Sequence, residues 1–366
     1  MSPLSQSDDF LSIVLNETPL IDVRAPAEFA KGAFPHAVNL PLMDDEERRL
    51  VGITYKKRGS DEAVALGHRL VNGEVKAARI KAWNDFIDTH PDAKLYCFRG
   101  GQRSQISQEW IAQSGREIVR LKGGYKAFRN YLMEEIGCSF TRFKPLVLGG
   151  YTGSGKTALL RKFDNAIDLE GLANHRGSSF GRTLIPQPSQ IDFENALAYA
   201  LIQKLEAGHS TLIFEDEGRG IGRVYLPHKL IDYLNEAPLV ILDMALERRV
   251  EITFGEYVSD AQWAYEKAFG DQGLARWAED MQAAMKRIAR RLGGLHYKEV
   301  TRLFDEAYTR QCQNGTQEGF RAWIAYLLKE YYDPMYDYQI EKSAARVVFW
   351  GDDDAVHSYL RNHNGQ

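Results

Sequence analysis

Cysteine is scarce in this chain. Cys97, Cys138 and Cys312 are scattered over 366 positions. They are too few and too far apart for a disulfide framework or a zinc site, so a cysteine that matters here is expected to act as a reactive thiol. Long apolar runs are missing too, since none approaches the roughly 18 residues that a membrane span needs. The start, Met1-Ser2-Pro3-Leu4-Ser5-Gln6, lacks the basic and apolar regions of a secretion signal. The expectation is a cytoplasmic protein without a membrane partner. An excess of basic charge is also absent: a net charge of −4 argues against a uniformly basic nucleic-acid coat and leaves room for a local basic patch. What is present is 44% hydrophobic and 26% charged residues, a globular composition. The length suggests about two or three domains.

The most informative stretch is Gly150-Tyr151-Thr152-Gly153-Ser154-Gly155-Lys156-Thr157, after the apolar run Leu146-Val147-Leu148 and before Ala158-Leu159-Leu160. Strand, glycine turn and helix start follow one another in the G-x-x-x-x-G-K-S/T spacing of a P-loop. Gly150, Gly153 and Gly155 let backbone N–H groups, with that of Ser154 between them, close around an anion, and the helix N-terminus adds its partial positive charge. Lys156 is expected to reach the outer phosphate and Thr157 to ligate Mg²⁺. The motif implies a polyphosphate ligand and does not say which one.

Ahead of it, Pro19 to Arg24 and Lys94 to Phe98 read as buried strands, with helices over Ala77–Thr89 and Arg103–Gln113. This alternation implies a parallel sheet with functional loops at the strand C-terminal ends. Cys97 sits at such an end, followed by Phe98, Arg99, Gly100, Gly101, Gln102 and Arg103. Two glycines let the backbone curl around the sulfur; converging N–H groups, a helix N-terminus and two arginines are expected to favour the thiolate.

Beyond the P-loop, Ala166 to Glu170 reads as a strand, and the polar stretch Asn174 to Gln190, containing His175, Arg176, Ser178, Ser179 and Arg182, as a long functional loop. Phe193, Leu197, Leu201 and Leu205 recur at a helical step. Thr211 to Asp216 is an apolar strand ending in carboxylates, so Glu215 or Asp216 is a candidate Mg²⁺ partner. Leu239 to Asp243 supplies a further strand. From Ala245 onward little strand signal is found. Leu274 to Leu292 is strongly helical and carries Lys286, Arg287, Arg290 and Arg291 in its last turns, either answering the helix dipole or contacting nucleic-acid phosphates. The aromatic run Tyr331 to Tyr338 is assigned to core packing or an interface rather than to base stacking.

Ile21-Asp22-Val23-Arg24, Glu28-Phe29, Gly32 to Pro41 and the Cys97 loop together resemble a rhodanese domain, in which the cysteine carries a chalcogen and the early aspartate and arginine are structural. One departure stands out. The common loop is C-x-x-G-x-R, whereas Arg103 lies one residue further on, the C-x5-R spacing of cysteine-dependent phosphatases, which suits a tetrahedral phosphate-sized group. The whole chain is similar to the tRNA 2-selenouridine synthase family, on the order of the two motifs and on the forms C-F-R-G-G-Q-R-S and G-Y-T-G-S-G-K-T. The fold this implies is α/β: a rhodanese-like parallel-sheet domain at 1–137, a linker at 138–145, a P-loop NTPase-like α/β domain at 146–244, and a mainly helical C-terminal region at 245–366 as the candidate tRNA contact.

The resemblance implies replacement of sulfur in wobble 2-thiouridine by selenium from selenophosphate, with Cys97 catalytic. It also implies an S-geranyl intermediate made from geranyl diphosphate, the anticodon loop of tRNA as partner, and a selenophosphate synthetase as supplier. Burial of a geranyl chain at about 0.8 kcal/mol per CH₂ predicts an apolar tunnel beside the P-loop. The residues by themselves leave open an NTP-dependent sulfurtransferase or kinase, and a cysteine-phosphatase-like or nucleotide-binding regulatory protein.

Overall fold

In the computed structural model the described residues are 4–181 and 184–363; Met1 to Pro3 and Arg182 lie outside them. The chain divides into two compact units: Met1–Ser139 with Ser189–Gln203, and Phe140–Pro188 with Lys204–Gln366.

The first unit is built on short strands β1 (Gln6–Ser7), β2 (Leu20–Asp22), β3 (Ala37–Asn39), β4 (Lys94–Tyr96) and β5 (Val119–Leu121). They form one parallel sheet in the order β1-β5-β4-β2-β3. Leu20, Ile21, Leu95, Tyr96 and Leu121 are fully buried, as strands covered on both faces require. The helix Gly73–Thr89 buries Trp83, whose indole N–H donates to the Leu40 carbonyl at 2.9 Å. Asp22 and Arg24 are buried together. Arg24 Nε donates to both carboxylate oxygens of Asp22 and Nη2 donates to the Gly32 carbonyl, so this pair holds the loop after β2 and is structural.

The helix Gln190–Glu206 shows its expected stripe, with Phe193, Leu197 and Leu201 buried. Residues 189–203 pack with the first unit, although they follow the P-loop in sequence. Polar anchors account for this: Asp192 accepts from the Ala33 N–H at 2.7 Å, and Asn195 donates to the Ala33 carbonyl at 2.6 Å. Arg129 donates to Asn195 at 2.7 Å.

The second unit carries β6 (Lys144–Gly150), β7 (Ala166–Ile167), β8 (Thr211–Glu215), the antiparallel pair β9 (Gly220–Ile221) and β10 (Val224–Tyr225), β11 (Leu239–Leu242) and β12 (Val347–Gly351). Its main sheet is parallel, in the order β12-β11-β6-β8-β7. Two elements differ from expectation. Asp168 accepts from the Gly171 N–H and caps a helical turn over Leu169–Leu172, which ends β7 early and puts Glu170 on a helix. β12 lies in the region read as helical; it is a half-buried edge strand, so its apolar alternation is weak. The helix Gly273–Leu292 buries Trp277, Met281, Met285 and Ile288 in one core with Phe304, Phe320, Trp323, Tyr331 and Tyr332. The aromatic run is therefore partly core, as expected.

Gly124 opens the helix Gly124–Ser139 with φ of +60°, and a Cβ there would stand 2.3 Å from the Cys97 carbonyl oxygen and 2.4 Å from the Gly100 nitrogen. Gly124→Ala should destabilise the protein by at least about 1 kcal/mol. Gly137→Ala in the same helix, where a Cβ meets nothing within 4 Å, should stabilise it by up to about 1 kcal/mol. Denaturant titration of the two variants checks the contrast; equal effects would count against the close approach.

Candidate active sites: a cysteine loop and a P-loop

Cys97 follows directly on β4 and is only 3% exposed, and the helix Gln102–Gln113 starts where its loop ends. The thiol donates to Ser104 Oγ at 3.2 Å, and that hydroxyl donates to the Gly101 carbonyl at 3.0 Å. The loop is held from outside by Arg120, which donates to the Gly100 carbonyl at 2.6 Å, and by the Tyr125 and Lys126 N–H groups on the carbonyls of Cys97 and Phe98. The expected convergence of two arginines on the sulfur is not observed. Arg103 binds both oxygens of Glu28, at 2.6 and 3.2 Å, and Arg99 is exposed beside the Phe98 ring. Glu28 sits where the short helix Pro26–Phe29 caps itself, and that fixed carboxylate captures the guanidinium. Burial works against the Glu28 charge, but the hydrogen bond and charge of Arg103 outweigh it and hold the carboxyl below its ordinary pKa.

In the second unit β6 runs into the P-loop. Gly150, Gly153 and Gly155 all have positive φ, and a Cβ at Gly150 would lie 2.5 Å from the Leu242 carbonyl oxygen. Ser154 is buried and its Oγ has no hydrogen-bond partner among the described residues. Lys156 Nζ donates to the carbonyls of Gly150 at 2.8 Å and Tyr151 at 3.1 Å; Thr157 Oγ1 donates to Glu170 at 3.2 Å. The Glu170 N–H donates to one Glu215 oxygen at 3.0 Å, while the other, Oε1, is buried without a partner among the described residues. Glu217 adjoins Glu170: a Cβ on Gly177 would touch an oxygen of each. Asp216 is exposed and reaches instead toward Gly149, so strand alternation separates the two acids considered from sequence. The lysine, the threonine and the glutamates at 170, 215 and 217 line a cavity of about 530 Å³.

The aromatic segment contributes here as well, a role that sequence reasoning missed. Arg249, buried, donates to the Thr152 carbonyl at 3.0 Å and pairs with Asp333; Tyr151 donates to Asp337 at 2.5 Å; and Tyr336 lines the cavity.

Residues 143–366 match the model of the tRNA 2-selenouridine synthase AAA domain, and residues 8–131 match that of the rhodanese-like domain. The chain is 64% identical over 363 residues to a tRNA 2-selenouridine synthase of Sulfurovum sp. (strain NBC37-1), covering 99% of this chain and 100% of the relative. It belongs to the tRNA 2-selenouridine synthase family. Relatives of the same name from Hydrogenovibrio crunogenus and Bordetella petrii are 52% and 47% identical. These matches cover 97% and 98% of this chain, and 98% and 96% of the relatives. The chain is thus a tRNA-modifying enzyme of the transferase class, with α/β units of the rhodanese-like and P-loop kinds. No described helix is long and apolar enough to cross a membrane.

In this family member the P-loop cavity is acidic as well as basic. Burial, reinforced by the charge of Glu170, pushes the Glu215 carboxyl up to about 7. Burial also raises Glu170 and Glu217, and the nearness of other carboxylates adds to it. An apolar crevice bordering the cavity, lined by Phe180, Trp323 and Leu327 among others, measures about 20 Å³ among the described residues, too small for a geranyl chain. On the helix Gly273–Leu292, Lys286, Arg287, Arg290 and Arg291 are all exposed. Arg287 donates to the Ser179 carbonyl at 2.7 Å, and Arg291 approaches the Met335 sulfur at 3.6 Å.

A carboxyl whose folded pKa is raised stabilises the fold in its protonated form. That contribution is complete below the unfolded value near 4.5 and is lost as pH rises through about 7 for Glu215. In chelator, the melting temperature should therefore fall less between about pH 5 and about pH 8 in Glu217→Gln than in the unsubstituted protein. Parallel melting profiles would contradict this.

Proposed function

We propose that the protein replaces the sulfur of wobble 2-thiouridine in tRNA by selenium from selenophosphate, through an S-geranyl intermediate made from geranyl diphosphate. The observation that supports the reading is two strand-to-helix turns in one chain, each at the C-terminal end of a parallel strand, one carrying the Cys97 thiol and the other Lys156. A 2-thiocarbonyl is a poor leaving group, and alkylating its sulfur turns it into a good one. In the first reaction the sulfur of the base bonds to the geranyl C1, the C1–O bond breaks, and diphosphate departs. Lys156 and the N–H groups between Gly150 and Thr157 hold that diphosphate, and stabilising the leaving charge needs no nucleotide hydrolysis.

The donors also fit Mg²⁺. Thr157 Oγ1 and the unpartnered Glu215 oxygen are hard ligands on the cavity wall. Mg²⁺ takes one or two carboxylates and completes its shell with substrate phosphate and water. Bound there, it would neutralise diphosphate charge.

In the second reaction selenium bonds to C2 of the pyrimidine, the C2–S bond breaks, and the electron pair leaves on sulfur as geranylthiol. Hydrolysis of the P–Se bond releases phosphate. Cys97 orients selenophosphate for this attack and forms no bond to selenium, in a loop formed by Phe98, Arg99, Gly100, Gly101, Gln102 and Arg103. The anticodon loop offers its wobble base unstacked, and Lys286 and Arg290 contact tRNA phosphates beside it. A selenophosphate synthetase supplies the donor. The polar lining of the P-loop cavity favours one competing reading, in which it holds a nucleoside triphosphate and the transfer is NTP-dependent.

Nucleoside mass spectrometry of thiolated tRNA incubated with the protein, geranyl diphosphate, Mg²⁺ and selenophosphate separates them. Selenouridine is expected from the unsubstituted protein, geranylthiouridine accumulating with Cys97→Ala, and neither product with Lys156→Ala. Unchanged tRNA alongside ATP hydrolysis would install the competing reading. For the basic helix, joint Lys286→Glu and Arg290→Glu substitution should weaken tRNA binding and flatten its log–log salt dependence by roughly 0.7–0.9 for each phosphate no longer neutralised. An unaltered slope would remove these residues from the interface.

A further inference from the structure

Among the described residues the apolar crevice beside the P-loop is too small for a geranyl chain, whereas the first unit contains an apolar cavity of adequate size. A cavity of about 580 Å³ lies under the helices Asp45–Arg58 and Ser60–Leu70, walled by Leu42, Met43, Val51, Val64, Val71 and Trp110. That is the size and character of a small-molecule site. It opens beside the cysteine loop. Gln102 and Arg103, which end the loop, line it, and Cys97 belongs to the same buried cluster as Leu42, Met43, Val71 and Trp110.

The rim is cationic. Arg48, Arg49 and Lys56 line it together with Arg103. Two carboxylates face them: Glu28 pairs with Arg103 and lies 3.5 Å from Arg48, and Glu46 pairs with Arg49. The exposed run Lys56-Lys57-Arg58 ends the first of the two helices. An apolar pit inside a basic rim is complementary to an apolar chain covalently attached to a polyanion. An uncharged apolar chain would leave the rim unused, and a bare RNA would leave the pit unfilled.

We propose that this cavity seats the geranyl chain of the S-geranyl wobble base, with the rim on the neighbouring tRNA phosphates, while the base is presented to the Cys97 loop. The inference rests on the reading that an S-geranyl intermediate is formed. It assigns the apolar half of substrate recognition to the selenation unit rather than to the P-loop unit.

The test uses the full chain and an anticodon stem-loop carrying S-geranyl-2-thiouridine with a diazirine at the far end of the prenyl chain. After irradiation, cross-linked peptides are mapped by mass spectrometry. Adducts within 42–71 or 102–110 are expected, and competition by free geranyl diphosphate should leave most of them in place. Adducts confined to the P-loop segment 150–178, or adducts in 42–71 abolished by geranyl diphosphate alone, would overturn the assignment. The underlying reading is checked separately with the unlabelled S-geranyl stem-loop. If selenophosphate does not convert it to selenouridine, the reading itself fails, whatever the cross-links show.

A second arm uses Gly52→Phe. Gly52 lines the cavity in a helix interior, a Cβ there meets nothing within 4 Å, and replacing a helical glycine does not oppose folding. The ratio of kcat/KM for S-geranyl over S-methyl stem-loops should fall roughly tenfold or more. Val64→Trp on the facing helix provides an independent measurement of the same ratio, and an unchanged ratio in both variants contradicts the proposal.

Discussion

A parallel strand that turns directly into a helix leaves the first N–H groups of that helix without intrahelical partners and aims them at one point. Both units of this chain are organised by that constraint. β4 ends at Cys97 ahead of the helix Gln102–Gln113, and β6 ends at Gly150 ahead of the helix Lys156–Leu160. Each turn works only where the backbone passes too close to its neighbours for a side chain. Gly124 meets the Cys97 carbonyl, and Gly150 meets that of Leu242. The buried parallel sheets hold these approaches fixed, so the chemistry depends on packing far from the reacting atoms.

The two cradles are finished in different ways. Beside Cys97 the thiol has Ser104 and Arg103 has Glu28 as partners, while Arg120 Nε and the Tyr96 hydroxyl are buried without one among the described residues. In the P-loop cavity the unpartnered groups include acids. Glu215 keeps a buried oxygen unpartnered among the described residues, and burial raises the pKa of Glu170, Glu215 and Glu217, with a neighbouring carboxylate adding to it in each case. Unpaired buried acids are costly, and on the proposed reading a cation entering together with a polyphosphate would offset the cost. Arg249, buried and paired with Asp333, fixes the Thr152 carbonyl and so keeps the loop in shape for that event.

Much of this was legible in the sequence because the glycine spacing and strand-to-helix order of Gly150 to Thr157, and of Cys97 to Arg103, are local. The apolar step of Phe193, Leu197 and Leu201 predicted a helix correctly, yet residues 189–203 belong to the first unit, since Asp192 and Asn195 are polar and their bonds to Ala33 span some 160 positions. Glu170 was read as the end of a strand because nothing in five residues distinguishes a strand from a capped turn. Its role follows from Asp168 acting as the cap. Glu217 lies two positions beyond Glu215, outside the degenerate strand-end pattern. Arg103 was expected to face the sulfur, and only the fold shows that Glu28 reaches it first.

The central claim is that the P-loop recognises an organic diphosphate as a leaving group rather than a nucleotide as an energy source. Calorimetric titration of the intact protein in Mg²⁺ with geranyl diphosphate, followed by ATP and GTP as competitors, tests it most directly. Saturable binding of geranyl diphosphate that is lost in Lys156→Ala and is not displaced by either nucleotide is the predicted result. Tight nucleotide binding that geranyl diphosphate cannot contest would contradict it.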